Sequence, residues 1–335
     1  MSAPSETGPA TEPTQGAQPN PILVEVVRGD VVESVHRGSA LILGADGRTI
    51  AAVGDPQAVT LPRSAVKPIQ AIGMLRAGLV AEQAALAVAT GSHSGEPRHV
   101  DCVRTTLEAA GLSLEDLQCP PALPMNEAAR DAVLAAGDGP QRGYMNCSGK
   151  HAAMLLTCLA NGWPPATYLD PGHPLQLHLR EVLSDYSAEV LANATVDGCG
   201  APLFGMSLNG LARAFVRMAD EGGPARTVAD AMRTHPFLVA GTGREDTELM
   251  TALPGVVSKA GAEGVHVVAV PGGGAVVVKI EDGNERARMP VVAAGLRRLG
   301  LTGDVLDRWA TGEVLGGGQP VGSIRATAEL FAPTS

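Results

Sequence analysis

Only four of the chain's 25 basic residues are lysines: Lys67, Lys150, Lys259 and Lys279. Arginine supplies the rest, so each lysine raises the question of what arginine would not do in its place. A lysine amine gives up its proton under burial or a neighbouring charge and then offers a lone pair; a guanidinium does not. Ser64-Ala65-Val66-Lys67 sets a hydroxyl three residues ahead of such an amine. At a helix start that spacing places both on one face. A neutral Lys67 could then take the Ser64 proton and leave an activated nucleophile, and the helix N-terminus would favour the developing negative charge. The tetrapeptide is common by chance and gains weight only from partners.

Two partners follow in order. Ser92-His93-Ser94, after the small apolar run Leu86 to Gly91, offers a second hydroxyl. The plainer reading is a helix N-cap ahead of Glu96 to Ala109, and for Ser94 it is the better one. Lys259-Ala260-Gly261 precedes a β-hairpin. S-x-x-K, a serine element and K-x-G is the order used by penicillin-recognising serine enzymes. Here Ser-Asp-Asn is missing and Ala260 stands where threonine is usual. Those departures argue against β-lactam chemistry and leave acyl-enzyme chemistry open. Lys279 lies in an apparent strand and reads as structural.

Cys147, Lys150 and Cys199 could bind zinc through two thiols and an amine. By spacing alone they read better as two small buried cysteines. Ser148-Gly149-Lys150 is not a phosphate loop, because Tyr144 occupies the first glycine position.

These residues need a scaffold. Ile22 to Val27, Val31 to Val35 and Ala40 to Leu43 read as strands, and Asp46-Gly47 as the turn before a strand at Thr49 to Val53. Ser64 to Leu79 reads as a helix, with Pro68 tolerated in its first turn. The middle, from Ala81 to Ala240, reads as mostly helical. Gly264 to Val270 and Gly274 to Glu281 form a hairpin, Pro290 to Leu299 a helix and Val321 to Ala328 a last strand. The expectation is an α/β (α+β) fold: an antiparallel sheet built from N- and C-terminal segments, carrying a large helical insertion.

The 335 residues suffice for a sizeable core. A net charge of -10 and 3% aromatics argue against nucleic-acid binding. No apolar run is long enough for a membrane span. Five cysteines without paired spacing do not suggest a disulfide framework. With no secretory signal in Met1 to Pro19, the expected setting is the cytoplasm. Residues 1–20 are expected to be a disordered tail and residues 21–335 one catalytic domain.

Six segments together resemble the rhizobial-type, or class 3, L-asparaginases of the asparaginase II family. They are Arg63-Ser64-Ala65-Val66-Lys67-Pro68-Ile69-Gln70, Ser92-His93-Ser94-Gly95-Glu96, Asn146-Cys147-Ser148-Gly149-Lys150-His151, Asp197-Gly198-Cys199, Lys259-Ala260-Gly261 and Lys279-Ile280-Glu281-Asp282-Gly283-Asn284. The resemblance implies a fold like that of serine β-lactamases and glutaminases. It implies two Ser-Lys pairs, Ser64 with Lys67 and Ser92 with Lys259, with Ser64 as nucleophile and Lys67 as its base. It carries a zinc site over to Cys147, Lys150 and Cys199, where the ion would orient substrate rather than activate water. Arg63, His93, Asn146 and Asp197 are then candidates to bind substrate, Asp197 by accepting an ammonium group; His151 is expected to be structural. The implied reaction converts L-asparagine to L-aspartate and ammonia in a homodimer. The alternatives are glutamine or another small amide as substrate, or a non-catalytic, zinc-stabilised binding protein.

Overall fold

The computed structural model describes residues 20–191 and 195–331. The tail expected over residues 1–20 lies almost wholly outside that range. The described chain opens with β1 (Ile22–Arg28), β2 (Val31–Leu43) and β3 (Thr49–Val53). β2 is one strand of 13 residues, not two runs parted at Arg37-Gly38. Gly38 lies opposite Ile280, and a Cβ on it would stand 2.1 Å from Lys279 O. Glycine is needed there because two backbones approach closely, not because the chain turns.

Among the described residues nine α-helices come next: α1 (Lys67–Arg76), α2 (Gln83–Thr90), α3 (Pro97–Glu108), α4 (Glu127–Ala135), α5 (Ser148–Asn161), α6 (Pro174–Ser187), α7 (Leu208–Asp220), α8 (Pro224–Thr234) and α9 (Pro236–Val239). Between α6 and α7 lies a short strand pair, β4 (Thr195–Val196) and β5 (Pro202–Leu203). Then follow α10 (Glu245–Ala252), β6 (Val257–Ala260), β7 (Val265–Val270), β8 (Gly274–Ile280), α11 (Arg288–Arg298), α12 (Asp304–Ala310), β9 (Thr311–Gly316) and β10 (Gln319–Ala326).

The main sheet runs β6-β7-β8-β2-β1-β10-β9, with β3 also on β2, and its neighbours pair antiparallel. Strands from both ends of the chain interleave, and the helices up to α9 form the insertion, as the sequence suggested. Alternate side chains along each central strand enter different cores. Leu41, Leu43, Val267 and Val277 join the core shared with the helical insertion, while Ala40, Ile42, Val268 and Val276 join the core under α11. Central strands buried on both faces explain their near-continuous apolar sequences.

The insertion brings α2 and α5 together without space between them. A Cβ on Gly149 would stand 2.4 Å from Val88 O. Beyond α2 the chain runs through residues 91–94, tied by Ser92 N–H to Val239 O (2.9 Å), His93 N–H to Asn146 O (3.2 Å) and Ser94 N–H to Ala240 O (2.8 Å). Ser94 is not the N-cap of α3. That position belongs to Glu96, whose Oε1 accepts the Ser94 hydroxyl at 2.7 Å. Among the described residues no helix is long and apolar enough to cross a membrane.

Candidate active site

Lys67 is the first residue of α1, and Arg63–Val66 forms a separate 3-10 turn ahead of it. Ser64 therefore sits in that turn and not in the helix. Arg63 has φ +52°, the left-handed region that a side chain disfavours. Such a conformation costs about 1–3 kcal/mol. It is held by an ion pair, Arg63 Nε to Asp197 Oδ1 at 2.7 Å.

Both buried lysines converge on one hydroxyl. Lys67 Nζ lies 3.1 Å from Ser92 Oγ, 2.5 Å from Gly91 O and 3.5 Å from Asn146 O. Lys259 Nζ lies 3.0 Å from the same Ser92 Oγ and 2.6 Å from Ala260 O. Asp246 Oδ2 is 3.8 Å from Lys259 Nζ. Among the described residues no hydrogen bond joins Ser64 Oγ to Lys67. The carbonyls of Gly91 and Asn146 draw the amine inward, leaving Lys67 buried and Ser64 half-buried. Two separate Ser-Lys pairs were expected; instead both amines meet at Ser92.

Proton counting gives this arrangement chemical meaning. Ser92 has one proton and can donate it to only one lysine, so the other must donate to Ser92. Two ammonium groups facing one oxygen in a buried site repel each other. Burial, aided by the Lys67 charge, pushes Lys259 down to about 8, although Asp246 opposes that shift. Lys259 is thus suited to accept the serine proton, while Lys67, facing two carbonyls, is suited to donate.

The cysteine-lysine set also assembles. Lys150 Nζ lies 3.1 Å from Cys199 Sγ, and Cys147, Lys150 and Cys199 are all buried. A hydrogen bond from Cys199 and the charges of Lys67 and Lys150 hold the Cys147 thiol below its ordinary range against the effect of burial, while the bond to Cys147 and burial push Cys199 up. Among the described residues no group of three or more His, Cys, Asp or Glu side chains is placed to hold a metal. Here the third donor is a lysine amine, and two sulfurs with one nitrogen fit the preferences of zinc.

The remaining candidates fall in different places. His93 is fully buried; Nδ1 accepts Gly95 N–H at 3.2 Å and Nε2 lies 2.9 Å from Ser148 Oγ. Both nitrogens are committed to the protein, so His93 braces the chain beside Ser92. Asn146 Oδ1 accepts from Cys147 Sγ at 3.1 Å, and its carbonyl faces Lys67. Asp197 holds Arg63 and also accepts Gly198 N–H on the same Oδ1. Its Oδ2 has no hydrogen bond among the described residues. His151 Nδ1 meets Tyr168 Oη at 2.7 Å in the core. Asp246 was not anticipated: an acidic residue beside Glu245 at a helix start reads as an ordinary solvated charge.

The family described as L-asparaginase II matches residues 24–326. The chain belongs to the L-asparaginase II family. Membership in the L-asparaginase II family carries an amidohydrolase-type function and a small-molecule substrate. Among solved structures, a β-lactamase from Mycobacterium bovis is 15% identical, covering 79% of this chain and 95% of its own at a TM-score of 0.43. A putative β-lactamase from Bacteroides dorei is 14% identical, covering 79% and 93% at a TM-score of 0.44. No curated protein matches the chain.

Proposed function

We propose that this L-asparaginase II family member hydrolyses the side-chain amide of L-asparagine through a seryl ester. The observation that carries the reading is the placement of Ser92 Oγ 3.0 and 3.1 Å from two buried lysine amines. That arrangement suits proton transfer at a hydroxyl. Ser64, half-buried on the adjoining strained turn, is the attacking group in this reading. Its oxygen bonds to the amide carbon while its proton passes to the Ser92–lysine cluster. The C–N bond then breaks, and a lysine proton leaves with the nitrogen as ammonia. Water attacks the ester, releases aspartate and restores the serine.

An amino-acid head group is a zwitterion, and Arg63 with Asp197 offers both complementary charges. Arg63 uses only Nε in the ion pair, and Asp197 keeps Oδ2 for an ammonium. Cys147, Lys150 and Cys199 would hold a zinc ion, which supplies positive charge to orient substrate when bound.

A second reading makes Ser92 the nucleophile, since both amines bond to it and not to Ser64. The test is ammonia release from L-asparagine, with L-glutamine as control, for the wild type, Ser64→Ala and Ser92→Ala. Peptide mapping after acid quenching locates the aspartyl ester. Release from asparagine with the ester on Ser64 is the expected result; an ester on Ser92 moves the nucleophile there. A folded, zinc-supplied protein that releases nothing from asparagine ends the proposal.

A further inference from the structure

Behind Lys259 lies a buried polar cluster that none of the sequence motifs marks. Asp246 is the second residue of α10 and is 2% exposed. Its Oδ1 accepts the Ser258 hydroxyl at 2.7 Å and lies 3.2 Å from His266 Nε2. Its Oδ2 accepts Ala260 N–H at 2.9 Å and stands 3.8 Å from Lys259 Nζ. One carboxylate thus meets three consecutive residues of β6, and the middle one is the lysine that bonds Ser92. Ser258 and His266 are fully buried, so this Ser-His-Asp set has no access to substrate and is not itself a catalytic triad. His266 Nδ1 has no partner among the described residues. Its ring proton belongs on Nε2, where Ser258 and Asp246 can accept it.

We propose that Asp246 is a positioning residue for the reaction argued above: it holds the Lys259 amine against Ser92 and governs how readily that amine gives up its proton. The inference rests on Lys259 acting in that reaction, but the coupling can be tested without turnover. The charged groups around Lys259 are Asp246 on α10, Lys67 on α1, Arg244 just ahead of α10 and Cys147 just ahead of α5. Burial lowers the lysine; Asp246 opposes burial, while Lys67 and Arg244 add to it. Asp246 faces His266 on β7 and Lys259 on β6, with Glu245 next to it in sequence. Burial would raise its carboxyl, but the bond from His266 and the Lys259 charge outweigh that, so it stays ionised. Removing the carboxylate charge while keeping its shape should therefore make Lys259 easier to deprotonate.

Because the chain has only four lysines, lysine labelled with 13C at Cε yields four signals. Lys259 is identified by its loss in Lys259→Met. Its wild-type midpoint is expected at about 8. In Asp246→Asn the midpoint should fall by about one pH unit or more. In Ser258→Ala, which keeps the charge, it should stay within about half a unit. An unchanged midpoint in folded Asp246→Asn, or an equal fall in Ser258→Ala, overturns the proposal. Should Asp246→Asn fail to fold, 13Cγ-aspartate in the wild type decides: the Asp246 signal must inflect at the Lys259 midpoint, and no inflection overturns the coupling. For an active enzyme the acid limb of kcat/KM should follow the midpoint downward in Asp246→Asn. A protein that shows the shift but releases no ammonia from asparagine defeats the asparagine reading and leaves this coupling standing.

Discussion

Residue-level chemistry at this site turns on where protons sit. Lys259 is buried, and burial, with the Lys67 and Arg244 charges, holds its amine down to about 8 against the opposing Asp246 carboxylate. In the unfolded chain the same amine titrates near 10.4. The folded value is the lower one, so the neutral amine favours the fold. Wild-type stability therefore gains from Lys259 as pH rises from about 8 to about 10.4, and lacks that gain below 8. The difference amounts to ~3 kcal/mol. Lys259→Met has no such dependence. Urea unfolding of both proteins at about pH 7.5 and about pH 10 should show the wild type gaining ~2 kcal/mol relative to Lys259→Met, most of the full difference. A pH-independent difference would mean that the amine is not held neutral by burial. Ser64→Ala and Ser92→Ala belong to the same scale: each removes one hydroxyl, and only Ser92→Ala removes the one that both amines bond.

At the level of elements, the site depends on how closely helices meet. Ser92 hangs on the chain just beyond α2, and α2 rests on α5 at Gly149, where a Cβ would meet Val88 O at 2.4 Å. The obstructing atom is backbone and cannot turn aside. Gly149→Ala should part the two helices and shift residues 91–92 away from Lys67 and Lys259. The expected cost is about 1–3 kcal/mol of stability and about tenfold or more in rate. Thermal unfolding and ammonia release measure the two effects; a variant with wild-type values for both would show that α2 does not position Ser92 through this contact. The turn around Arg63 is coupled in the same way: its left-handed backbone is held by Asp197, two residues before Cys199. One ion pair thus fastens the Ser64 turn to the loop that carries a thiol of the cysteine-lysine set.

Across the whole molecule, buried histidines set the response to acid. Burial holds His93 well below its ordinary range and lowers His99 as well, with the two rings stacked 4.9 Å apart. Both folded values are depressed, so their contribution is present above the unfolded value of about 6.5 and is lost as pH falls below it. Each unprotonated ring adds a slope of ~1.4 kcal/mol per pH unit. Urea midpoints between about pH 7 and about pH 5 should therefore fall before the carboxylates titrate. A flat stability profile down to about pH 5 would show that these rings accept protons in the folded state.

Local pattern alone revealed much of this protein. The β-rich apolar runs in Val265–Val270 and Gly274–Ile280, the turn at Asp46-Gly47 and the helices within residues 81–240 were legible because each depends on neighbours in sequence. So were the residue types of the site, since a hydroxyl, an amine or a thiol carries its chemistry wherever it stands. Tertiary pairing decided the rest. Thr311–Gly316, with two glycines and few buried side chains, is a strand because β10 lies beside it. Gly38 proved to be a point of close backbone approach and not a turn. Most of all, spacing in the chain paired Lys67 with Ser64, whereas the fold brings Lys67 and Lys259 to Ser92 and sets Asp246 behind them. Those partners lie 25, 167 and 13 positions apart along the chain. Sequence spacing governs contacts only within a turn of helix or a strand pair; beyond that, the packing of the sheet against the helical insertion determines which groups meet.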